Sequence, residues 1–394
     1  MSDTVEYAAI EALWDAAHIA GLGAITTQLL SGYTMGANCS TGSSAGCIYG
    51  YDSSPKGTRA VRNGIFWFVF DLPGIDLQTT GLEARVTHSG VDASAFFVSE
   101  WLWWGQSFNS TAAFVAAFRA GQLTVPPAGA VPATARVSSF EKTTATSSPS
   151  PPQLGPQHFE PAGRRFAVQG SHVTWMKWSF AFGVRATAGL GLFNVLFGGE
   201  RIAYEISLQE AGAFYSGART SALQQQTMYL DSSWSMGMLS LELLPGVDCP
   251  RNALMLPTTQ YTSSGPATVE GSVCIFEHDT ATPLRRHYEM ATGDTSAHYG
   301  SWAGGLQGHV LVVRTVTTVY NYDYIIDMLF NRNGVIEVAV TPAGYPQATY
   351  YNAADPTTAS VGNPMTRWMM GTAHDHFFNY KARALLRLRC CAGC

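Results

Sequence analysis

Tyr320, Tyr322 and Tyr324 occupy alternate positions in the run Thr318-Val319-Tyr320-Asn321-Tyr322-Asp323-Tyr324, with Asn321 and Asp323 between them. A period of two belongs to extended chain, where successive side chains point to opposite faces. The run therefore reads as a strand with three tyrosines on one face and Asn321 and Asp323 on the other. Asn333-Gly334 follows between two apolar stretches. Asn-Gly there signals a hairpin, because both residues tolerate the positive φ of a type I′ turn. Further strand-like runs lie at 173–182, 191–197 and 310–316, separated by turn residues. Residues 164–394 are expected to form a large antiparallel β-sandwich.

The part before it reads differently. Asp3 and Glu6 form a capping pair at a helix start, and Val5, Ala9, Leu13, Ala16 and Ile19 recur at helical spacing. Strand-like runs follow at 64–70 and 82–88. Ser110 caps a second helix that turns Phe114, Val115 and Phe118 inward and stops near Gly121. Residues 1–124 are thus expected to form a small α+β domain. Residues 125–163 carry Pro126-Pro127, Pro132, Pro149, Pro151-Pro152, Pro156 and Pro161 with a Ser/Thr-rich run, the composition of a linker.

Composition narrows the function. Charged residues are 13% of the chain, about half the roughly 25% of an average domain. The net charge of −5 has no basic excess, so nucleic acid is not an expected partner. No segment reads as the roughly 18 apolar residues of a membrane span. Acids at Asp3 and Glu6, without a basic or apolar leader region, do not read as a signal peptide. Asn38-Cys39-Ser40 and Asn109-Ser110-Thr111 are glycosylation sequons, and seven cysteines suit either redox compartment.

Three constellations could carry chemistry. In a strand, His374 and His376 of His374-Asp375-His376 share a face and could offer two imidazoles to one metal, with Asp375 turned away. Imidazole suits copper, zinc, iron and nickel, so spacing alone names none of them. An ordinary strand pair of histidines is the other reading. Asp231-Ser232-Ser233 reads locally as a turn between strands. Gly42-Ser43-Ser44-Ala45-Gly46 fits the nucleophile-elbow pattern of serine hydrolases. That elbow needs a strand before it and a helix after it, and Asn38-Cys39-Ser40 in front instead suggests a small-residue loop.

The Thr-x-x-Asn-Tyr-Asp-Tyr run upstream of His-x-His resembles the signature of the copper amine oxidases. The segments Phe197–Glu205, Tyr229-Leu230-Asp231, Leu243–Pro250, Pro283–His287 and Thr80–Glu83 are also similar to those of the animal enzymes, the diamine oxidases in particular. The resemblance implies copper- and quinone-dependent oxidative deamination of a primary amine to aldehyde, ammonia and hydrogen peroxide, with dioxygen as oxidant. It implies that Tyr322 is the precursor of topaquinone, that His374 and His376 bind copper(II), and that Asp231 accepts the substrate proton. Tyr215 would hold the quinone by a hydrogen bond, and Tyr229 would line the substrate channel. Asp52 either matches an acidic position that diamine substrates use, for amines such as histamine or putrescine, or starts a loop. Cys249 and Cys274 would form a disulfide; Cys39 and Cys47 are spaced for a small loop bridge.

The family also implies a homodimer, an extracellular or secretory setting and bound calcium, whose site is not evident in these residues. A third copper histidine is expected downstream of His376, where this chain has none, so the chain is expected to be truncated at both ends. An inactive fragment or isoform of an amine oxidase is the alternative expectation. The tail with Cys390, Cys391 and Cys394 matches nothing in the family and supports that alternative.

Overall fold

Apolar runs with a period of two dominate the chain, and the computed structural model is accordingly mostly antiparallel β-sheet. It describes residues 4–36, 39, 46–52, 56–57, 62–72, 74–77, 79–90, 92–132, 157–217, 228–262, 264–288 and 303–384. The elbow-like residues 42–45, most of the proline-rich segment and the cysteines at 390, 391 and 394 lie outside these. The chain divides into two compact units. One comprises Met1–Pro151, Gly212–Tyr229 and Tyr345–Phe377; the other comprises Pro152–Ala211, Leu230–Gly344 and Phe378–Cys394.

In the first unit, helix α1 (Thr4–Ala17) continues through a kink at Gly21, where φ is +123°, into α2 (Gly23–Leu29). The sheet beside it contains β1 (Ile48–Asp52), β2 (Lys56–Gly57), β3 (Arg62–Phe70), β4 (Thr79–Thr87), β5 (Phe97–Trp103) and β6 (Gln106–Phe108), in the order β1-β3-β4-β5-β6 with β2 on β3. The helical stripe is displaced from the expected one. Ile10, Trp14 and Ala17 are buried, whereas Val5 and Ile19 are 62% and 83% exposed. Trp14 decides this, since its ring meets Phe66, Phe68 and Trp101 edge-on and a large aromatic outweighs small residues in fixing the buried face. Asp3, the other half of the expected capping pair, lies outside the described residues; Glu6 binds Arg62 at 2.9 Å and His88 at 2.5 Å. The helical run Val5–Leu29 is long and apolar enough to cross a membrane by length and composition, which the sequence reading missed. Its Ile10, Trp14, Leu22 and Ile25 belong to this unit's apolar core. Ser110 caps α3 (Thr111–Arg119) as expected, accepting from Ala113 N at 3.1 Å, with Phe114 and Val115 buried.

The second unit holds the larger part of two sheets. One runs β12 to β7 in order, from β7 (Phe166–Gln169), β8 (His172–Trp175), β9 (Trp178–Arg185), β10 (Gly189–Phe197), β11 (Glu200–Tyr215) and β12 (Met228–Leu230). The other is the meander β13 (Leu254–Thr262), β14 (Gly265–Tyr288), β15 (Ala303–Val319), β16 (Tyr322–Asn331) and β17 (Ile336–Gly344). Their inward faces make one core, in which Phe180 and Phe330 stack at 3.9 Å and 7°. Each such ring removed from water contributes about 1.5–3 kcal/mol. Residues 173–182 are not one strand: Met176, with φ +51°, turns the chain between β8 and β9. The hairpin at Asn333-Gly334 forms where expected, but only Gly334 has positive φ, at +94°. The connection spans 332–335, with Gly334 N bonded to Asn331 O, so it is not the two-residue type I′ turn.

Five further elements carry the C-terminal part. A small sheet holds β18 (Ala348–Tyr350), β19 (Gly362–Pro364) and β20 (Met369–Thr372), with a short helix α4 (Pro356–Ala359) before β19. β21 (His374–Ala384) pairs with β11.

Candidate active site

The tyrosine run is a hairpin rather than one strand. β15 ends at Val319 and β16 begins at Tyr322, with Val319 paired to Tyr322 and Thr318 to Asp323. Tyr320 and Asn321 form the turn, and Tyr320 adopts φ +58°, a conformation that costs a non-glycine residue about 1–2 kcal/mol. Thr318 Oγ1 donates to Asp323 Oδ1 at 2.6 Å and ties the two strand ends together. Gly344, at φ +92°, lies opposite Tyr322. A Cβ on Gly344 would meet Asn321 O at 2.2 Å, so only glycine lets β17 approach the turn this closely. Tyr322 and Tyr324 still share a face, their rings parallel within 11° at 6.1 Å.

Asp231 opens a short 3₁₀ turn, Asp231–Trp234, after β12 and is buried. The fully buried Tyr324 donates its hydroxyl to Asp231 Oδ2 at 2.6 Å. Burial raises the Asp231 carboxyl above its ordinary value; the Tyr324 hydrogen bond opposes this, and the Glu210 charge adds to it. Glu210 is fixed nearby, accepting from Ala211 N at 3.0 Å and from the Ser232 hydroxyl. The aspartate is both a turn residue and a buried carboxylate of raised basicity, so the two sequence readings are compatible. Burial also pushes the Tyr324 hydroxyl far upward, with Asp231 as the next cause, so it stays protonated and remains a donor.

The first unit holds the other set. His374 and His376 project from β21, with ring centroids 4.9 Å apart and planes at 73°, while Asp375 is exposed. His374 Nδ1–H donates to Thr372 O at 2.9 Å, since the carbonyl can only accept, which fixes the orientation of that ring edge. Burial, then the charge of His374, lowers His376 to about 4, with Asp375 opposing, so it is neutral at ordinary pH. The buried Tyr215 lies flat on His374 at 4.6 Å and 12°, and meets Tyr229 edge-on at 5.6 Å. Imidazole nitrogens are donors of a kind that suits copper. Among the described residues no group of three or more His, Cys, Asp or Glu side chains could hold a metal, so the pair supplies part of a donor set.

Asp52 ends β1 opposite Phe66, and its side chain lies outside the described part of the structure. Cys249–Cys274 and Cys39–Cys47 are both disulfides. Sequence reasoning did not single out Tyr324, Glu210 or Thr372. The available signal for Tyr324 was its position two residues from Tyr322, on the same face.

Residues 167–385 match the copper amine oxidase enzyme domain. The chain is 36% identical over 344 residues to the copper-containing diamine oxidase of Mus musculus, covering 84% of this chain and 44% of the relative. To that of Homo sapiens it is 36% identical over 347 residues, covering 85% and 45%. Among solved structures it is similar to the Aspergillus nidulans amine oxidase, with a TM-score of 0.78 at 28% identity, covering 95% of this chain and 48% of the other. The chain therefore spans somewhat under half the length of the curated relatives it matches. A match over more than half its residues, on a fold of the same kind, makes this chain a member of the copper amine oxidase family.

Proposed function

We propose that the chain catalyses oxidative deamination of primary amines, in which amine, dioxygen and water give aldehyde, ammonia and hydrogen peroxide. The observation that carries this is the buried Asp231 carboxylate, hydrogen-bonded by the tyrosine two residues after Tyr322. Tyr322 is the precursor of topaquinone in this reading, and His374 and His376 are the copper ligands. Copper(II) with dioxygen would supply the oxidation of Tyr322, and the quinone would supply a carbonyl electrophile for the amine. The chain's own residues do the rest. Asp231 takes the proton from the substrate's Cα, and its raised basicity suits that task. Tyr215, which lies flat on His374, would be the residue that holds the quinone, and Tyr229 would line the amine's path. Asp52 would meet the far ammonium of a diamine such as putrescine or histamine. The two disulfides support an extracellular or secretory setting, and the family supports a homodimer.

The test is expression with copper(II) in air, followed by peroxide release from putrescine and a phenylhydrazine assay for the quinone. Activity that disappears in Tyr322→Phe is expected. Stoichiometric copper without quinone would overturn the proposal. That outcome would favour a second reading, a family member that does not process Tyr322, which the two-histidine donor set supports.

A further inference from the structure

Asp231 is the reacting carboxylate in the proposed function, and the inference here rests on that reading. Its two oxygens are not equivalent. Oδ2 accepts from the Tyr324 hydroxyl at 2.6 Å, while among the described residues Oδ1 accepts no hydrogen bond. The donor is rigidly placed. Tyr324 is 0% exposed, in a cluster with Leu208, Ala211, Met236, Val319 and Ile326. Phe378 meets its ring edge-on at 5.0 Å, and Tyr322 lies parallel to it. A ring fixed on two sides holds its hydroxyl in one place, so the bond fixes the carboxylate in turn.

We propose that Tyr324 is a positioning residue that holds Oδ2 of Asp231 and leaves Oδ1 as the oxygen that accepts the substrate's proton. The Cα–H bond breaks, the proton bonds to Oδ1, and the electron pair passes to the organic acceptor, a quinone in this family. The hydrogen bond has a second effect. A donor to the ionised carboxylate favours the charged form, the form a base needs, in a place where burial disfavours it. Among the described residues, the charged or titratable groups that act on Asp231 are Tyr324 from β16 and Glu210 from β11. Burial and Glu210 push toward the protonated acid, and Tyr324 pushes back.

The test is a carbon-13 NMR titration of the full chain labelled at aspartate Cγ, with Asp231→Asn assigning the resonance. Tyr324→Phe keeps the ring and removes the hydroxyl, and is expected to raise the Asp231 midpoint by about one pH unit. Tyr380→Phe removes the buried hydroxyl of a partly buried tyrosine packed against the same cluster and is expected to leave the midpoint in place. An unchanged midpoint in Tyr324→Phe overturns the proposal. Should that variant unfold, the wild-type Tyr324 Cζ resonance decides: it must shift at the Asp231 midpoint, and a flat response is equally fatal. In turnover of putrescine, Tyr324→Phe is expected to lower kcat/KM by about 10–100-fold and to move its acid limb upward by the same unit. If Asp231→Asn abolishes turnover while Tyr324→Phe behaves as wild type, the base reading stands and the positioning role falls. If Asp231→Asn remains active, the base reading itself fails, and the positioning role with it.

Discussion

Gly344→Ala tests whether the hairpin that carries Tyr322 is held by the close approach of β17. Two terms add. An alanine at φ +92° loses about 1–2 kcal/mol to its backbone conformation. Its Cβ would stand 2.2 Å from Asn321 O and 2.9 Å from Tyr322 Cα, both backbone atoms that cannot rotate away. Relieving such an overlap moves the chain and costs about 1–3 kcal/mol. The sum is about 3 kcal/mol, or a fall in Tm of roughly 6–12 °C for a unit of this size. Gly170→Ala is the control in the same unit. Gly170 has φ +59° with nothing within 4 Å of its would-be Cβ, so it carries the conformational term alone, about 1 kcal/mol and roughly 2–4 °C. Differential scanning fluorimetry of the two variants isolates the contact. Equal shifts would show that the approach of β17 to the turn is not what constrains it, and the account of the hairpin would fail.

Replacing Cys249 and Cys274 together by serine opens a loop with a sequence separation of 25 and should lower stability by about 3 kcal/mol, read from urea midpoints without reductant. Phe180→Ala removes a fully buried ring stacked on Phe330 and should cost about 3–5 kcal/mol in the same assay. Lys381, Ser207 and Arg185 hold Glu205 at about 2, below its ordinary value, so its contribution is present above about pH 4.5 and lost as pH falls toward 2. Denaturation midpoints of wild type and Glu205→Gln should therefore differ at pH 6 and converge as the pH falls from about 4.5 toward 2; a constant gap would contradict the assignment.

The sandwich was legible because strand alternation and burial share a period: Tyr324, Ile326, Met328 and Phe330 all face inward along β16. The turn at Tyr320-Asn321 was not legible. Alternating tyrosines in a continuous strand and the same residues folded across a two-residue turn give one local pattern, and Tyr320 offers no glycine to mark the break. What closes the turn is the pairing of Thr318 with Asp323 and the glycine at 344, a long-range contact that local sequence cannot display. The offset of the α1 stripe has a similar origin, since Trp14 finds Phe66, Phe68 and Trp101 only in the folded unit. The histidine pair needed only a strand, and β21 provides it, but the Thr372 carbonyl that orients the His374 ring edge is a backbone group invisible to any residue pattern.

The bond between Tyr324 and Asp231 joins residues 93 positions apart, yet it explains a local feature of the motif. A base for carbon acids must be ionised to accept a proton and basic enough to take it. Burial alone would meet the second need and defeat the first, because an unsolvated carboxylate without a donor becomes a neutral acid. A hydrogen bond from Tyr324, whose own hydroxyl burial keeps protonated, opposes that loss and favours the charged form without adding water. A strand of period two places that tyrosine on the same face as Tyr322, and the parallel rings show that both share one local frame. A slip of β16 by one residue would displace Tyr322 and the donor to Asp231 together. The register of the hairpin, set by Thr318, Asp323 and Gly344, is therefore the quantity on which the placement of Tyr322 and the hydrogen bond to Asp231 jointly depend.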